Sequence, residues 1–522
     1  MGCSIVQMET LGIILSGKYS DFEITQQYGL LPPSFLPLSG QRLYVSQIDY
    51  LSKFCARIFL TIPSDFELTP FDEEQLAGMK VRTIRSNPDM SINDALLQVL
   101  SVVQSKGESI AVLYGDTLIN EEIPINSVTI YKKPATYSWG RNEGISEYES
   151  LQDENVEMMM AGFFYLSDVK LLESVIHQSD GNILDTLDGY SRSSPLCYHK
   201  VQTWNDFGHI GTLQQSQLFF SESRFFNLVK ITELGVSKQS TDLSKLNAEI
   251  VWYENLPTEF QKYVPKLISK SKNEYTIEYI PFPTLHDLLI HGNLSLTQWR
   301  RLFGQLYTFF LEAKEFSGRP NQIGLESLLN AKTKARCEHF LTTSPNLKDF
   351  NYIDLRKILS EQNINLLLSK IELENSRFSG VLHGDMCATN IFWDGTSETL
   401  KTVDPRGDSS GISTGIHGDI RYDVAKLYQS FVLGYDFVLS GIGKRADAAE
   451  TLNKISSLKY SKVDFEALFQ TMLFDPLDID QTEIAAISTL LIMGLLPLHA
   501  DRVDRQNQFV HIIVEMLNRL NT

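Results

Sequence analysis

Cysteine is scarce: five in 522 residues, at Cys3, Cys55, Cys197, Cys337 and Cys387, with no Cys-x-x-Cys pair. That excludes a disulfide-built scaffold and the usual zinc spacings, and it fits a reducing compartment. Positive charge is also short, 46 Lys and Arg against 64 Asp and Glu, a formal charge of −18. Such a balance argues against a nucleic acid or an anionic membrane as partner, while leaving room for small phosphorylated ligands that need only a few local donors. Long apolar runs are missing. The longest, IAAISTLLIMGLLPL at 484–498, is too short and is interrupted by Pro. The opening MGCSIVQMETLGIIL has no basic stretch ahead of its apolar residues and no Ser or Thr at position 6. It reads as neither a secretion signal nor a myristoylation site. A soluble, cytoplasmic protein is expected, with oligomeric state left open.

What is present is apolar bulk, 43% of residues with 11% aromatic, enough for sizeable cores, and a chain too long for a single one. No internal repeat stands out. The first half alternates apolar strand-like runs, GIILS (12–16), ARIFLTI (56–62), VRTIRS (81–86) and SIAVLYGD (109–116), with helical stretches. In SINDALLQVLSVVQS (91–105), Ser91 and Asp94 make a cap-like start, and Ile92, Leu96, Val99 and Val103 recur at helical spacing. The alternation predicts an α/β domain with a largely parallel, doubly wound sheet covered on both faces, its ligand beyond the carboxyl ends of the strands, where Asp116 falls. Past SRFFNLVKI (223–231) the pattern changes to a strand, a turn and a helix bearing Glu249. The helix at 295–313 then carries Trp299, Leu302, Phe303, Leu306, Phe309 and Phe310 on one face. Domains at 1–228 and 229–522 are expected.

In the second half, VLHGDMCATNIFWDGTSETLKTVDPRGD (381–408) sets Asp385, Asn390 and Asp404 among short apolar runs. As turn residues they would be ordinary. Phosphoryl transfer, however, needs a base for the attacking hydroxyl and oxygen ligands for Mg2+, plus a cation on the nucleotide phosphates. Asp385 can be the base, and Asn390 and Asp404 the metal ligands. Upstream, Lys238 can hold the phosphates, with Glu249 eleven residues on to orient it and Lys245 as a competitor. The set His383-Gly384-Asp385-x4-Asn390 with Asp404 resembles the catalytic and metal loops of the aminoglycoside phosphotransferase and choline kinase family. The resemblance implies a protein-kinase-like α+β domain over roughly 229–522 that phosphorylates a small alcohol or sugar from ATP with Mg2+. In GDIRYDVAKL (418–427), Asp423 would support the catalytic loop. Cys387 reads as a space-filling residue, and His383 as a loop stabiliser. Trp252, Tyr422, Asp419 and Tyr435 would suit a cationic alcohol, although scattered aromatics more often build cores.

LGIILSGKYSDF, followed by LLPPSFLPLSGQRLYVSQIDYL, resembles the opening of sugar-phosphate and choline-phosphate nucleotidyltransferases, whose fold is GT-A-like. By that resemblance Gly17 and Lys18 lie in the nucleotide loop, and Asp116 in LYGDT and Asp206 in TWNDFGHIGT hold Mg2+ for an NTP, CTP among the candidates. The chain departs from the family pattern where an arginine is expected in the loop, and Pro33 stands where a lysine is expected. Lys18, Arg42, Lys132, Lys133 and Lys200 are the candidate substitutes. A glycosyltransferase would call for an Asp-x-Asp pair, and here Asp116 is followed by Thr117 and Leu118. Together the two resemblances imply a bifunctional enzyme, kinase product feeding nucleotidyl transfer, of use in surface polysaccharide or head-group activation. The alternative expectation is a small-molecule kinase with a nucleotide- or sugar-binding module.

Overall fold

The computed structural model describes residues 10–103, 108–134, 156–179, 182–222, 229–232, 235–317, 325–326, 328–343, 354–373, 376–407, 415–441 and 463–521. The chain divides into two units, Met1–Phe220 and Ser221–Thr522. The boundary expected near 228 lies outside the described residues.

The first unit is built on a seven-stranded sheet. Its parallel core comprises β1 (Thr10–Leu15), β2 (Arg57–Pro63), β3 (Arg82–Ser86) and β4 (Ser109–Tyr114), with β1 between β2 and β4. β5 (Thr117–Leu118) leaves the sheet. β6 (Ser127–Pro134), β7 (Val156–Leu166) and β8 (Cys197–Lys200) then extend it in the order β8-β6-β7-β4-β1-β2-β3. The sequence predicts a largely parallel sheet; the difference is β7, which runs antiparallel to both β4 and β6. Three strands on that side, β6, β7 and β8, do not emerge from the sequence periodicity.

The helix expected at 91–105 is α2 (Ile92–Val103), following α1 (Leu43–Leu51); residues 104 and 105 lie outside the described residues. Its start is capped as the sequence suggests, the Asp94 amide donating to Ser91 Oγ at 3.1 Å. Leu96, Val99 and Val103 pack into a core with Leu11, Val112 and Phe164. Each such burial contributes roughly 1.5–3 kcal/mol.

The second unit opens with a four-stranded antiparallel sheet of β10 (Val229–Thr232), β11 (Gly235–Gln239), β12 (Leu267–Lys270) and β13 (Glu274–Ile277), in the order β10-β11-β13-β12. Between β11 and β12 runs α3 (Leu243–Asn255), capped by Asp242. A helical part comes next. Its α4 (Leu296–Glu315) begins with a capping box of Ser295 and Gln298, and it buries all six apolar residues expected on its face. Short ribbons interrupt the helices: β14 (Ser379–Val381) with β17 (His417–Asp419), and β15 (Ile391–Asp394) with β16 (Thr399–Thr402). Three further helices, α5 (Thr333–Thr343), α6 (Arg421–Phe431) and α7 (Gln481–Met493), belong to the same part. The apolar run at 484–498 contributes to α7 and is buried for most of its length. Among the described residues no helix is long and apolar enough to cross a membrane.

Candidate active sites

In the first unit a cavity of about 470 Å3 opens beyond the carboxyl ends of β1, β3 and β4, where open α/β sheets bind ligands and within the size range of small-molecule sites. The loop with Gly17 and Lys18 forms one wall, Ser86 and Asn87 another, and Asp116 and Asp206 the floor. Ninety residues of sequence separate the two carboxylates, and a small ribbon unites them. In it β5 pairs with β9 (Asn205–Asp206), Asp206 opposite Thr117, while the Phe207 amide donates to the Asp116 carbonyl at 2.8 Å. Gln47 braces the turn, its Nε2 donating to the carbonyls of Gly115 and Thr117, both at 2.9 Å.

Gly208 closes the floor. A Cβ there would lie 2.9 Å from Asp116 Oδ2 and 3.2 Å from Asp206 Oδ1, so both carboxylates converge on space that only glycine leaves open. Burial, and next the facing charge of Asp206, push Asp116 up to about 6. Two carboxylates completed by substrate phosphates are an ordinary ligand set for Mg2+. Among the described residues there is no group of three or more His, Cys, Asp or Glu side chains arranged to hold a metal. Asp116 and Asp206 could supply two oxygen ligands to a cation whose remaining ligands came from a bound substrate.

The candidate substitute cations separate clearly. Lys18 is exposed and lines the cavity, as does Pro33. Arg42 is buried, its Nε 3.0 Å from Asp72 Oδ1 and its Nη1 donating to the Phe35 carbonyl at 2.8 Å, so it braces the fold rather than meeting a ligand. Lys132 and Lys200 lie on strands β6 and β8 and do not line the cavity. The Lys133 side chain lies outside the described residues. Sequence reasoning missed His209, which lines the same cavity and meets Asp21 Oδ2 at 3.2 Å. Its place right after the Asp206 motif was the available signal.

In the second unit Lys238 on β11 donates to Glu249 Oε2 at 2.8 Å and to Asp404 Oδ1 at 3.0 Å. Glu249, buried on α3, also accepts from the Tyr275 hydroxyl at 2.9 Å. Lys245, the competitor, stays 3.9 Å from Glu249 and half exposed. Gly407 explains why the Asp404 loop can approach that helix. At φ +55° a Cβ would stand 2.3 Å from the Ala248 carbonyl oxygen, so no side chain fits. Asp404 itself has φ 59°, a left-handed conformation uncommon outside glycine and frequent at ligand-holding loops.

The loop 383–390 is held from beneath. Asp423 on α6 accepts from the His383 amide at 2.7 Å and the Gly384 amide at 2.8 Å. Burial pushes that carboxyl up to about 7, against those two bonds. Burial also pulls His383 down to about 4, leaving a neutral ring. Its Nε2 meets the Val403 carbonyl at 2.9 Å, so that nitrogen carries the proton and Nδ1 accepts from the Asp385 amide at 3.3 Å. Asn390 Nδ2 donates to the Asp385 carbonyl at 2.9 Å. Its Oδ1, 3.4 Å from the Thr389 hydroxyl, is then the atom left for a cation. Cys387 is pushed up to about 12 by burial, a neutral thiol and a spacer.

Asp385 is the centre of charge. Arg406 Nη2 lies 2.6 Å from its Oδ2 and Lys426 Nζ 3.1 Å from its Oδ1. Burial alone would raise its pKa; the two cations overrule burial and hold it well below the usual carboxylate range. Sequence reasoning missed both partners, although Arg406 stands two residues past Asp404 and Lys426 inside GDIRYDVAKL. The set that would suit a cationic alcohol does not form one. Trp252 is buried with its indole N–H on the Leu382 carbonyl at 2.8 Å, and Asp419 is paired with Arg421 at 2.6 Å.

No protein-family model matches the chain, and no curated protein does. Solved structures resemble its N-terminal part. The inositol-1-phosphate CTP transferase of T. maritima aligns at 12% identity and TM-score 0.31, over 42% of this chain and 98% of that one. The CTP:phosphocholine cytidylyltransferase of Streptococcus pneumoniae aligns at 12% and 0.30, over 41% and 99%. A UDP-glucose pyrophosphorylase complexed with UDP-glucose aligns at 13% and 0.29, over 42% and 100%. At TM-scores this low the likeness carries no mechanism, and the chemistry of this chain rests on the geometry of its two sites.

Proposed function

We propose that the chain is a bifunctional transferase: its C-terminal unit phosphorylates a small alcohol or sugar from Mg·ATP, and its N-terminal unit transfers a nucleotidyl group to the phosphorylated product. The carrying observation is the convergence of Lys238, Glu249 and Asp404 beside a loop that presents Asp385 and Asn390. Lys238 would exchange Asp404 for the α/β-phosphates, freeing Asp404 and Asn390 Oδ1 for Mg2+. Asp385, ionised at any working pH, would orient the acceptor hydroxyl and take its proton. Magnesium would supply charge neutralisation of the triphosphate.

In the N-terminal unit, Asp116 and Asp206 would hold Mg2+ over the cavity, with Lys18 and the backbone of Gly17 facing the triphosphate. The phosphorylated product would attack the α-phosphate and release pyrophosphate. A role in polysaccharide or head-group activation suits that product. One observation favours the second reading, a kinase with a binding module: with Arg42 committed to Asp72, Lys18 is the one lysine that lines the cavity among the described residues.

The test is ADP release from Mg·ATP across a panel of alcohols, in wild type and Asp385→Asn, followed by pyrophosphate release from an NTP and the purified product. Substrate-dependent ADP release lost in Asp385→Asn, with pyrophosphate in the second step, supports the bifunctional reading. ADP without pyrophosphate supports the binding module. Equal ADP release in both proteins refutes the assignment of Asp385.

A further inference from the structure

Beside Asp385 lies a small cavity of about 70 Å3 whose polar lining is strongly cationic: Lys332, Arg336, Arg406 and Lys426 all face it. Arg406 and Lys426 are already engaged by Asp385. The other two are not so matched. Lys332 ends a π-helical turn, Leu328–Lys332, that runs straight into α5, and Arg336 stands one turn further along. Neither has a carboxylate partner among the described residues. Arg336 donates from Nη1 to the Gly494 carbonyl at 3.1 Å, and Lys332 makes no ion pair there. By contrast Lys334, between them in sequence, is paired with Glu361 at 2.6 Å. Among the described residues four cations therefore line one cavity, and Asp385 meets two of them, in a chain whose overall charge is −18.

Leaving cations this crowded is costly. Lys332 is lowered by burial and then by Arg336, Arg406 and Lys426, so what its neighbours do to it is repulsive. An anion relieves all of these at once, whereas a choline- or ethanolamine-like cation would add to them. Leu490, Leu491 and Leu498 also line the cavity, and Tyr422 adds a phenol. This suits a short carbon skeleton between an anionic head and a hydroxyl.

We infer that the acceptor of the C-terminal unit is a small anionic alcohol, its carboxylate or phosphate ester seated on Lys332 and Arg336 and its hydroxyl directed at Asp385. The inference rests on the kinase reading of this unit. In the step, the hydroxyl oxygen forms a bond to the γ-phosphorus of ATP, the bond from γ-phosphorus to the β,γ-bridging oxygen breaks, ADP leaves, and the hydroxyl proton passes to Asp385. The product gains a phosphate and is the more anionic for it.

The test pairs turnover with binding on the full chain. ADP release from Mg·ATP is measured with glycerate, glycerol 3-phosphate, glycerol, ethanolamine and choline, in wild type, Lys332→Gln and Arg336→Gln. Binding of glycerate, glycerol 3-phosphate and Mg·ATP is followed by calorimetry. The expected result is turnover of an anionic alcohol, with KM raised roughly 10–100-fold in either variant, as loss of one charged hydrogen bond requires, and KM for ATP changed less than threefold. Glycerate preferred over glycerol 3-phosphate identifies a carboxylate, the reverse a phosphate ester. Preferred turnover of glycerol, ethanolamine or choline overturns the anionic acceptor and leaves the kinase standing. An unchanged KM in both variants overturns the seat on Lys332 and Arg336. Anion binding lost in the variants, without any ADP release, supports the anion seat and refutes the kinase. If neither anion binds or turns over, the inference is overturned, and Mg·ATP binding in that sample decides whether the kinase reading falls with it.

Discussion

The two sites treat their carboxylates in opposite ways. In the N-terminal unit Asp116 and Asp206 face each other over Gly208, and Asp116 is pushed up to about 6 by burial and by its neighbour. In the C-terminal unit Asp385 and Asp404 are met by the chain's own cations: Arg406 and Lys426 on one, Lys238 on the other. The first site leaves two carboxylates facing each other, and on the proposed reading a metal offsets them. In the second the two carboxylates are already paired with cations, and on the proposed reading they exchange those partners to work. The difference teaches that a pair of aspartates is not one kind of site. What surrounds them decides whether burial and like charge keep a proton on them or paired cations keep them ionised.

That contrast can be broken from several sides. The largest effect is expected for Asp385→Asn, roughly 10²–10⁴-fold in kcat for ADP release, the usual contribution of a positioned base. Lys238→Met comes next, at roughly 10²-fold in kcat/KM for ATP. It also leaves the buried Glu249 short of its cation, a loss of about 1–3 kcal/mol that thermal unfolding would register. Gly208→Ala sharpens the contrast, since its Cβ would enter the space between the two N-terminal carboxylates. Pyrophosphate release should fall at least about tenfold, and ADP release from the other unit should stay unchanged.

The pH dependence of the metal-free protein is smaller and has a definite sign. The folded pKa of Asp116 is raised from 3.8 to about 6, so its contribution to stability is present at low pH and is lost as pH rises through about 6. Asp116→Asn should therefore stabilise the metal-free N-terminal unit at pH 7 by about 1–2 kcal/mol, while abolishing pyrophosphate release. A variant less stable than wild type would contradict the account from burial and like charge. The smallest effect belongs to Cys387→Ala, under about threefold on either reaction, because its thiol is neutral and meets only a hydroxyl among its described hydrogen-bond partners, Thr389 Oγ1 at 3.1 Å.

Distance along the chain decides which parts of this were legible in the sequence. The strand-like runs at 12–16, 56–62, 81–86 and 109–116 overlap β1 to β4, and the helices at 91–105 and 295–313 overlap α2 and α4, because periodicity is a local property. The loop around Asp385 was legible because its residues are contiguous. Asp116 and Asp206 could be proposed separately, but their convergence is made by the β5–β9 ribbon. Lys332 and Arg336 were invisible. They lie some fifty residues before Asp385 on an ordinary-looking helical stretch, and only the packing of α5, α6 and α7 brings them to the cavity that Arg406 and Lys426 also line. Arg42 went the other way: a plausible ligand cation by spacing, it is spent on Asp72 in the interior.

The central claim is that two separate sets of carboxylates run two reactions in series. It is tested most directly by monitoring ADP and pyrophosphate together in one vessel with Mg·ATP, an NTP and the preferred alcohol, for wild type, Asp385→Asn and Asp116→Asn. The account predicts both products from wild type and ADP alone from Asp116→Asn. It predicts neither product from Asp385→Asn until phosphorylated alcohol is added, which restores pyrophosphate. Pyrophosphate release that survives Asp116→Asn, or ADP release that survives Asp385→Asn, would contradict it.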